Sequence, residues 1–247
     1  MDKYFRERGS VREYSDREVS DALLRDLLAD AAQAPTTGNM QLYSVIVTRD
    51  QAGKEALAPA HFNQPAVTGC KVLLTFCADY NRFCRWCEVS DAQPGYNNLQ
   101  SFVAAMLDAT IVAQQFCAAA ESRGLGTCYM GTTTYNAPMI ADTLGLPKMV
   151  VPIVTVTLGW PANQVHPSDR LPLAAWVHEG KYEDPTPEEV KKFYAAKEAR
   201  DDSKQFVAEN GKETLAQVFT DVRYTKEAAE HFSEVFRDYL VRAGFLQ

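Results

Sequence analysis

The chain has 247 residues, 46% of them apolar, and a formal net charge of −7; that allows one large domain with a substantial core and excludes a disordered chain. No basic run exceeds the pair Lys191-Lys192, so a nucleic-acid partner, which needs clustered cations, is not expected. Six cysteines, no signal-peptide core in Met1-Asp2-Lys3-Tyr4-Phe5-Arg6, and a Met149–Trp160 apolar stretch too short for a bilayer predict a cytoplasmic protein with reduced thiols and no membrane partner.

Along the chain, Leu23, Leu24, Leu27, Leu28 and Ala31 recur at helical spacing over Ser20 to Gln33, with Ser20 as N-cap and Pro35 to Asn39 as the stop. The β-rich runs 43–48 and 72–77 predict strands. From Asn97 to Arg123 there is no Gly or Pro, and Phe102, Val103, Met106, Leu107, Ile111, Val112, Phe116 and Cys117 cover more than one face. Such a helix is buried on most sides, in a core or at a subunit interface, and Gly124 ends it. A short segment, 127–131, precedes a helix opened by Asn136 and Pro138, and 150–159 reads as the third buried strand. A Pro-rich stretch then leads to two amphipathic helices near 187–200 and 225–243, with the hydrophilic 197–212 stretch as a mobile link. Alternating strands and helices predict a mixed α/β or α+β sheet domain with helical cover. It is one domain over 1–247 with a C-terminal helical extension over 187–247.

Several segments could carry chemistry. Arg8, Ser10 and Arg12 alternate, and in extended chain alternate side chains share a side, so the three could converge on one anion while Gly9 leaves the backbone open to approach. Pro35-Thr36-Thr37-Gly38-Asn39-Met40-Gln41 gathers hydroxyls and amides into a turn suited to a polar heterocycle or a ribityl chain. Asn63-Gln64 offers amides that match a uracil-like edge. In Tyr129-Met130-Gly131-Thr132, backbone N–H groups are suited to a developing negative charge, and Gly131 lets a planar ring come close. Read singly, each is also an ordinary loop, and Arg170 alone carries nothing.

Other chemistries lack their residues. Cys84-Arg85-Trp86-Cys87 is one Cys-x-x-Cys without the second pair a structural zinc needs. His61, His166, His178 and His231 are scattered without metal spacing, and neither Gly-x-Ser-x-Gly nor Gly-x-Gly-x-x-Gly occurs.

The order of these segments resembles the nitroreductase family. Arg8-Gly9-Ser10-Val11-Arg12 matches its basic-x-Ser-x-basic opening, and Pro35 to Gln41 its Pro-Ser/Thr-Ser/Thr-Gly-Asn-x-Gln loop. Asn63-Gln64-Pro65, Phe76-Cys77-Ala78-Asp79, Gly124 to Gly131, and Leu146-Pro147 through Leu158-Gly159-Trp160-Pro161 follow in order. The similarity covers about residues 4–182 and is nearest to the larger, oxygen-insensitive bacterial type.

The resemblance implies an α+β fold with a mixed, mainly antiparallel central sheet flanked by helices. It implies an intertwined homodimer with FMN at the interface and NAD(P)H as co-substrate. Hydride would pass through flavin N5 to a nitroaromatic, quinone or similar small-molecule acceptor by ping-pong turnover, and no protein nucleophile is required. By position, Arg8, Gly9, Ser10, Arg12 and Arg170 would serve the phosphate or pyrimidine edge, with Arg12 stabilising the reduced flavin. Asn63 and Gln64 would meet the ring's carbonyl and imide groups. Tyr129, Met130, Gly131 and Thr132 would lie along the ring, and Pro35, Thr36, Thr37 and Asn39 would come from the partner. A flavin reductase, an ene-reducing or dehalogenating relative, and a non-catalytic FMN-binding protein are the alternatives. A lid is expected from residues 80–97, whose Tyr80, Phe83, Trp86 and Tyr96 offer stacking surface or plain packing. The family's second basic residue is Gly9 here, and its Lys near Arg170 is Ser168.

Overall fold

The computed structural model describes residues 4–247, so the first half of the Met1–Arg6 reading lies outside the described residues. The chain divides into two compact units, one formed by 4–167 with 232–247, the other by 168–231.

The first unit is built on a four-stranded antiparallel sheet in the order β1-β2-β4-β3. The strands are β1 (Tyr43–Thr48), β2 (Val72–Asp79), β3 (Gly126–Met130) and β4 (Val150–Gly159). Every residue of β2 and β4 is buried, which is why these central strands read as continuous apolar runs rather than as alternation. Phe76 pairs with Val45 on one side and Val154 on the other, and a register shift follows it at Cys77.

The helices are α1 (Tyr4–Glu7), α2 (Asp21–Ala31), α3 (Gln51–Leu57), α4 (Pro65–Gly69), α5 (Asn81–Val89), α6 (Leu99–Ser122) and α7 (Ala137–Leu144). Ser20 caps α2 by accepting from Leu23 N at 3.2 Å, as its position predicts. Helix α6 lies against β2, β4 and α2. Its buried Phe102, Ala105, Ala109, Val112, Ala113, Phe116 and Ala120 follow helical spacing, and the alanines let the backbone approach the sheet. Phe116 and Phe76 are fully buried with ring centroids 5.7 Å apart; burying each contributes about 2–3 kcal/mol. Among the described residues α6 is the one helix long and apolar enough to cross a membrane, yet half of its positions serve this core.

The opposite face of the sheet carries a second, smaller cluster: Leu57, Ala58, Ala60, Val67, Cys70, Leu73, Cys128, Met130 and Ile140. It gathers α3, α4 and α7 beneath the end of β3.

The second unit contains α8 (Pro187–Glu198), α9 (Asp201–Glu209) and α10 (Leu215–Val218), followed by a π turn, Phe219–Arg223. Helix α11 (Lys226–Ala243) ends the chain, and Tyr239, Leu240 and Ala243 of its last turns are buried with Phe245 in the first unit's main core. Thr186/Glu189 and Thr214/Gln217 form capping boxes on α8 and α10. The expected mobile link over 197–212 is corrected: most of it is helix α9. Its apolar side chains are few, but Arg223 lies 4.6 Å from the Phe206 ring, and α9 packs on α8 and α10. Tertiary contact makes a helix that its polar sequence does not announce.

Candidate functional site

Two carboxylates on α6 organise two of the sequence-predicted segments. Asp108 and Glu121 are the only charged residues of this 24-residue helix. At 1.5 Å per residue they stand about 20 Å apart along its axis.

Glu121 holds the N-terminal segment. Its carboxylate accepts from Arg8 Nε and Nη2, each at 2.8 Å, and from the Thr127 hydroxyl. This fork-to-fork geometry fixes the guanidinium plane. The segment then runs along β3, with Val11 N donating to Thr127 O at 2.9 Å. Gly126 and Gly159 face each other across β3 and β4. A Cβ on Gly126 would come within 2.5 Å of Val11, and one on Gly159 within 2.7 Å of Tyr14. The two glycines leave a notch that these side chains fill, and the Tyr14 hydroxyl donates to Val11 O at 2.7 Å and meets Thr157 Oγ1 at 2.6 Å.

Burial alternates here as expected, with Gly9 and Val11 inside and Ser10 and Arg12 exposed. One expectation is corrected. Gly9 is not open to approach, because a Cβ there would sit 2.2 Å from the His166 carbonyl oxygen. Of the three side chains expected to converge on one anion, Arg8 already pairs its charge with Glu121. Arg12 has no hydrogen bond or ion pair among the described residues. Burial raises the Cys128 thiol pKa on β3, and Arg12 and then Arg8 oppose the rise, so both cations stand near this strand.

The end of β3 joins two further predicted segments. A 3-10 turn, Ala58–His61, is followed by Phe62 and Asn63, both left-handed with φ of 53°, and Gln64 caps α4, whose first residue is Pro65. Asn63-Gln64 is thus a tight turn entering a helix rather than a plain loop before β2. His61 Nδ1 lies 2.8 Å from Thr132 Oγ1, and Asn136 Nδ2 donates to Ala60 O at 2.8 Å. The imidazole is fully buried, and its Nε2 has no hydrogen-bond partner. Burial lowers its pKa to about 4, so the ring is neutral at pH 7. Beside it, Gly131 is exposed, and a Cβ added there would meet nothing within 4 Å. Tyr129 is 37% exposed and Met130 is buried.

Asp108 holds the Pro35–Gln41 segment. It is 1% exposed, and its two oxygens accept from Thr37 N at 2.8 Å and Leu42 N at 3.1 Å. Between them Gly38, Asn39 and Gln41 all have φ near +55°, a conformation that costs non-glycine residues energy and calls for such anchoring. Arg82 Nη2 adds bonds to the carbonyls of Gln41 and Tyr43. Pro35, Thr37 and Asn39 are exposed and Thr36 is half-buried.

Arg170 belongs to the second unit, where its Nη1 donates to the carbonyls of Ser168 at 3.3 Å and Asp169 at 2.8 Å. Of the aromatics over 80–97, Tyr80 and Tyr96 stack at 4.9 Å, Phe83 packs edge-on to both, and Trp86 is exposed. Trp86 also meets Phe83 edge-on at 5.3 Å, so all four rings pack on one another and Trp86 alone is also exposed. Cys84 and Cys87 are free thiols, and no group of metal-ligating side chains occurs among the described residues. Sequence reasoning missed Asp108, Glu121 and the pairing role of His61. The two acids alone in an apolar helix were the available signal.

The chain thus combines an antiparallel α+β sheet backed by one long apolar helix with glycine- and hydroxyl-rich turns at the sheet's margins. Residues 5–160 match the model of the nitroreductase family, and the chain belongs to that family. It is 34% identical over 174 residues to an oxygen-insensitive NADPH nitroreductase of Salmonella typhimurium, covering 70% of this chain and 71% of the relative. It is 31% identical over 175 residues to an FMN reductase (NADPH) of Bacillus subtilis, covering 70% of each. A solved structure from Bacteroides fragilis superposes with a TM-score of 0.98 at 51% identity, over 99% of this chain and 100% of that one.

Proposed function

We propose that this chain is an FMN-dependent NAD(P)H oxidoreductase that passes reducing equivalents to nitroaromatic, quinone or similar electron-poor small molecules. It works as a homodimer in the cytoplasm, as one catalytic domain with a helical extension over 187–247. Bound FMN would supply the hydride chemistry in both directions, so the reading requires no protein nucleophile.

The observation that carries this reading is the separation imposed by α6. One chain keeps its Pro35–Gln41 loop and its Arg8–Arg12 segment about 20 Å apart along a single helix. A second copy bringing its own loop to the first copy's β3 edge would complete a site that neither chain completes alone. The exposed apolar side chains Leu107 and Ile111 on α6 support such pairing.

The residues fit FMN on two counts. The space beside Gly131 is clear for a planar ring, and exposed Arg12 has an uncommitted charge to offset the negative charge of a reduced flavin. Tyr129, Met130, Gly131 and Thr132 would line the ring. Asn63 and Gln64 would meet its polar edge, and Ser10, Arg12 and Arg170 would serve the phosphate or pyrimidine side. Arg8 and Gly9 would act mainly by fixing the path of that segment. Pro35, Thr36, Thr37 and Asn39 would come from the second copy.

The test is the visible spectrum of the purified chain, followed anaerobically on adding NADH or NADPH and then a nitroaromatic. A yellow dimer that bleaches with nicotinamide and recovers colour with acceptor is expected. A colourless chain that takes up no added FMN overturns the reading.

A further inference from the structure

His61 is fully buried, yet the sequence gives it no partner in a metal or catalytic motif. Its surroundings explain only half of its polarity: Nδ1 meets the Thr132 hydroxyl at 2.8 Å, while Nε2 is buried without a hydrogen-bond partner. An orphaned buried nitrogen costs folding free energy, and an apolar side chain in its place would carry no such cost. Thr132 follows the exposed Gly131 directly, and three residues after His61 the chain reaches Gln64. The His61–Thr132 contact therefore ties together two segments that the proposed FMN site draws upon.

We propose that His61 is a positioning residue for the flavin pocket, using its Nδ1 contact to hold Thr132, and with it the Met130–Thr132 backbone, in fixed relation to the Asn63-Gln64 turn. The inference rests on the FMN-binding reading above and goes beyond it by assigning a role to a side chain that meets no ligand itself. A neutral ring suits the task. It can donate to or accept from the threonine hydroxyl without placing a full charge under the turn. The neighbouring bond from the Asn136 side-chain amide to Ala60 O ties the same two stretches of chain a turn further on, so losing the imidazole loosens the turn without freeing it.

The role separates from ordinary packing because it predicts opposite changes in two measurements. In His61→Leu the orphaned nitrogen disappears from a fully buried position, so the full-length chain stripped of FMN keeps or gains thermal stability. The Thr132 hydroxyl, half-buried, turns to water, and FMN affinity falls about tenfold, the loss of one pre-set hydrogen bond. Thr132→Val produces a loss of similar size, the double variant is no weaker than the poorer single, and His61→Asn, whose amide reaches toward the place of Nδ1, recovers most of the affinity. The bound flavin's midpoint potential moves in both single variants and returns in His61→Asn.

FMN titration of the stripped wild type and these four variants, with melting curves of the same samples, decides the matter. Single variants binding FMN within twofold of wild type, or additive losses in the double variant, overturn the role of His61. If His61→Leu does not fold, Thr132→Val and His61→Asn carry the same comparison. A wild-type chain that binds no FMN overturns the functional reading itself, whereas wild-type binding with unmoved variants overturns only this inference.

Discussion

The two carboxylates of α6 do similar work by different means. At Asp108 the anchored segment is held through its backbone: two N–H groups donate to one buried carboxylate, and three left-handed residues turn between them. At Glu121 the segment is held through side chains, by the Arg8 fork and by Val11 and Tyr14 seated against glycines. A backbone-held loop presents its side chains outward whatever they are, so its shape depends on the acceptor. A packing-held segment depends on the space it fills. The same helix thus supports one segment that should fail when a charge is lost and one that should fail when volume is added as well.

The sharpest way to break this contrast is Asp108→Ala. It leaves the N–H groups of Thr37 and Leu42 without their acceptor, one of them in a fully buried residue, and should cost about 4 kcal/mol in urea unfolding. Asp108→Asn, which keeps one acceptor, should lose about half as much. A loss below about 1 kcal/mol for the alanine variant would mean that the loop holds itself.

Next in size is a pH effect at His61, beside the Asn63-Gln64 turn. The His61 pKa falls from 6.5 to about 4 on folding, so between these values the unfolded chain binds more protons. Stability therefore rises with pH across this window and is lost as pH falls from about 6.5 toward 4, by up to about 3 kcal/mol. Unfolding curves at several pH values should show that slope in the wild type, with His61→Leu shallower by this amount. Equal slopes would count against a buried neutral imidazole.

On the packing-held side, Gly126→Ala should cost about 2 kcal/mol, because its Cβ would intrude on Val11. The damage should spread to FMN uptake as Arg12 shifts. The smallest effect on folding, within about 0.5 kcal/mol, is expected for exposed Arg12→Ala. There the change should appear as weaker FMN binding or a lower flavin potential, and a variant that stays yellow with an unmoved potential would remove Arg12 from the role.

Much of the frame was legible in the sequence. The β1 and β4 limits, the Ser20 cap, the span of α6 and the Asn136-Pro138 helix start all follow from local pattern, because propensity, capping and burial agree there. Three kinds of feature were not legible. Helix α9 is polar by composition and owes its order to packing on its neighbours. Helices α3, α4 and α5 are short enough for turns and caps to dominate their periodicity. The site's internal ties, Arg8 to Glu121, Thr37 to Asp108 and His61 to Thr132, join residues 113, 71 and 71 positions apart, and no local pattern encodes such pairings. Gly9 illustrates the same limit. Its small size promised access from outside, but the His166 carbonyl already occupies that space.

The facing glycines of β3 and β4 also set a register. Along an extended stretch, sliding by one position exchanges inward and outward side chains. Such a slip would bring Arg12 down onto the sheet and turn Val11 toward water. The hollow under Val11 and Tyr14 accepts an aliphatic group and a ring at that spacing and would leave a buried guanidinium unpaired. Only one alignment of the N-terminal segment is therefore tolerated, and the outward aim of Arg12 is decided by two residues that have no side chains.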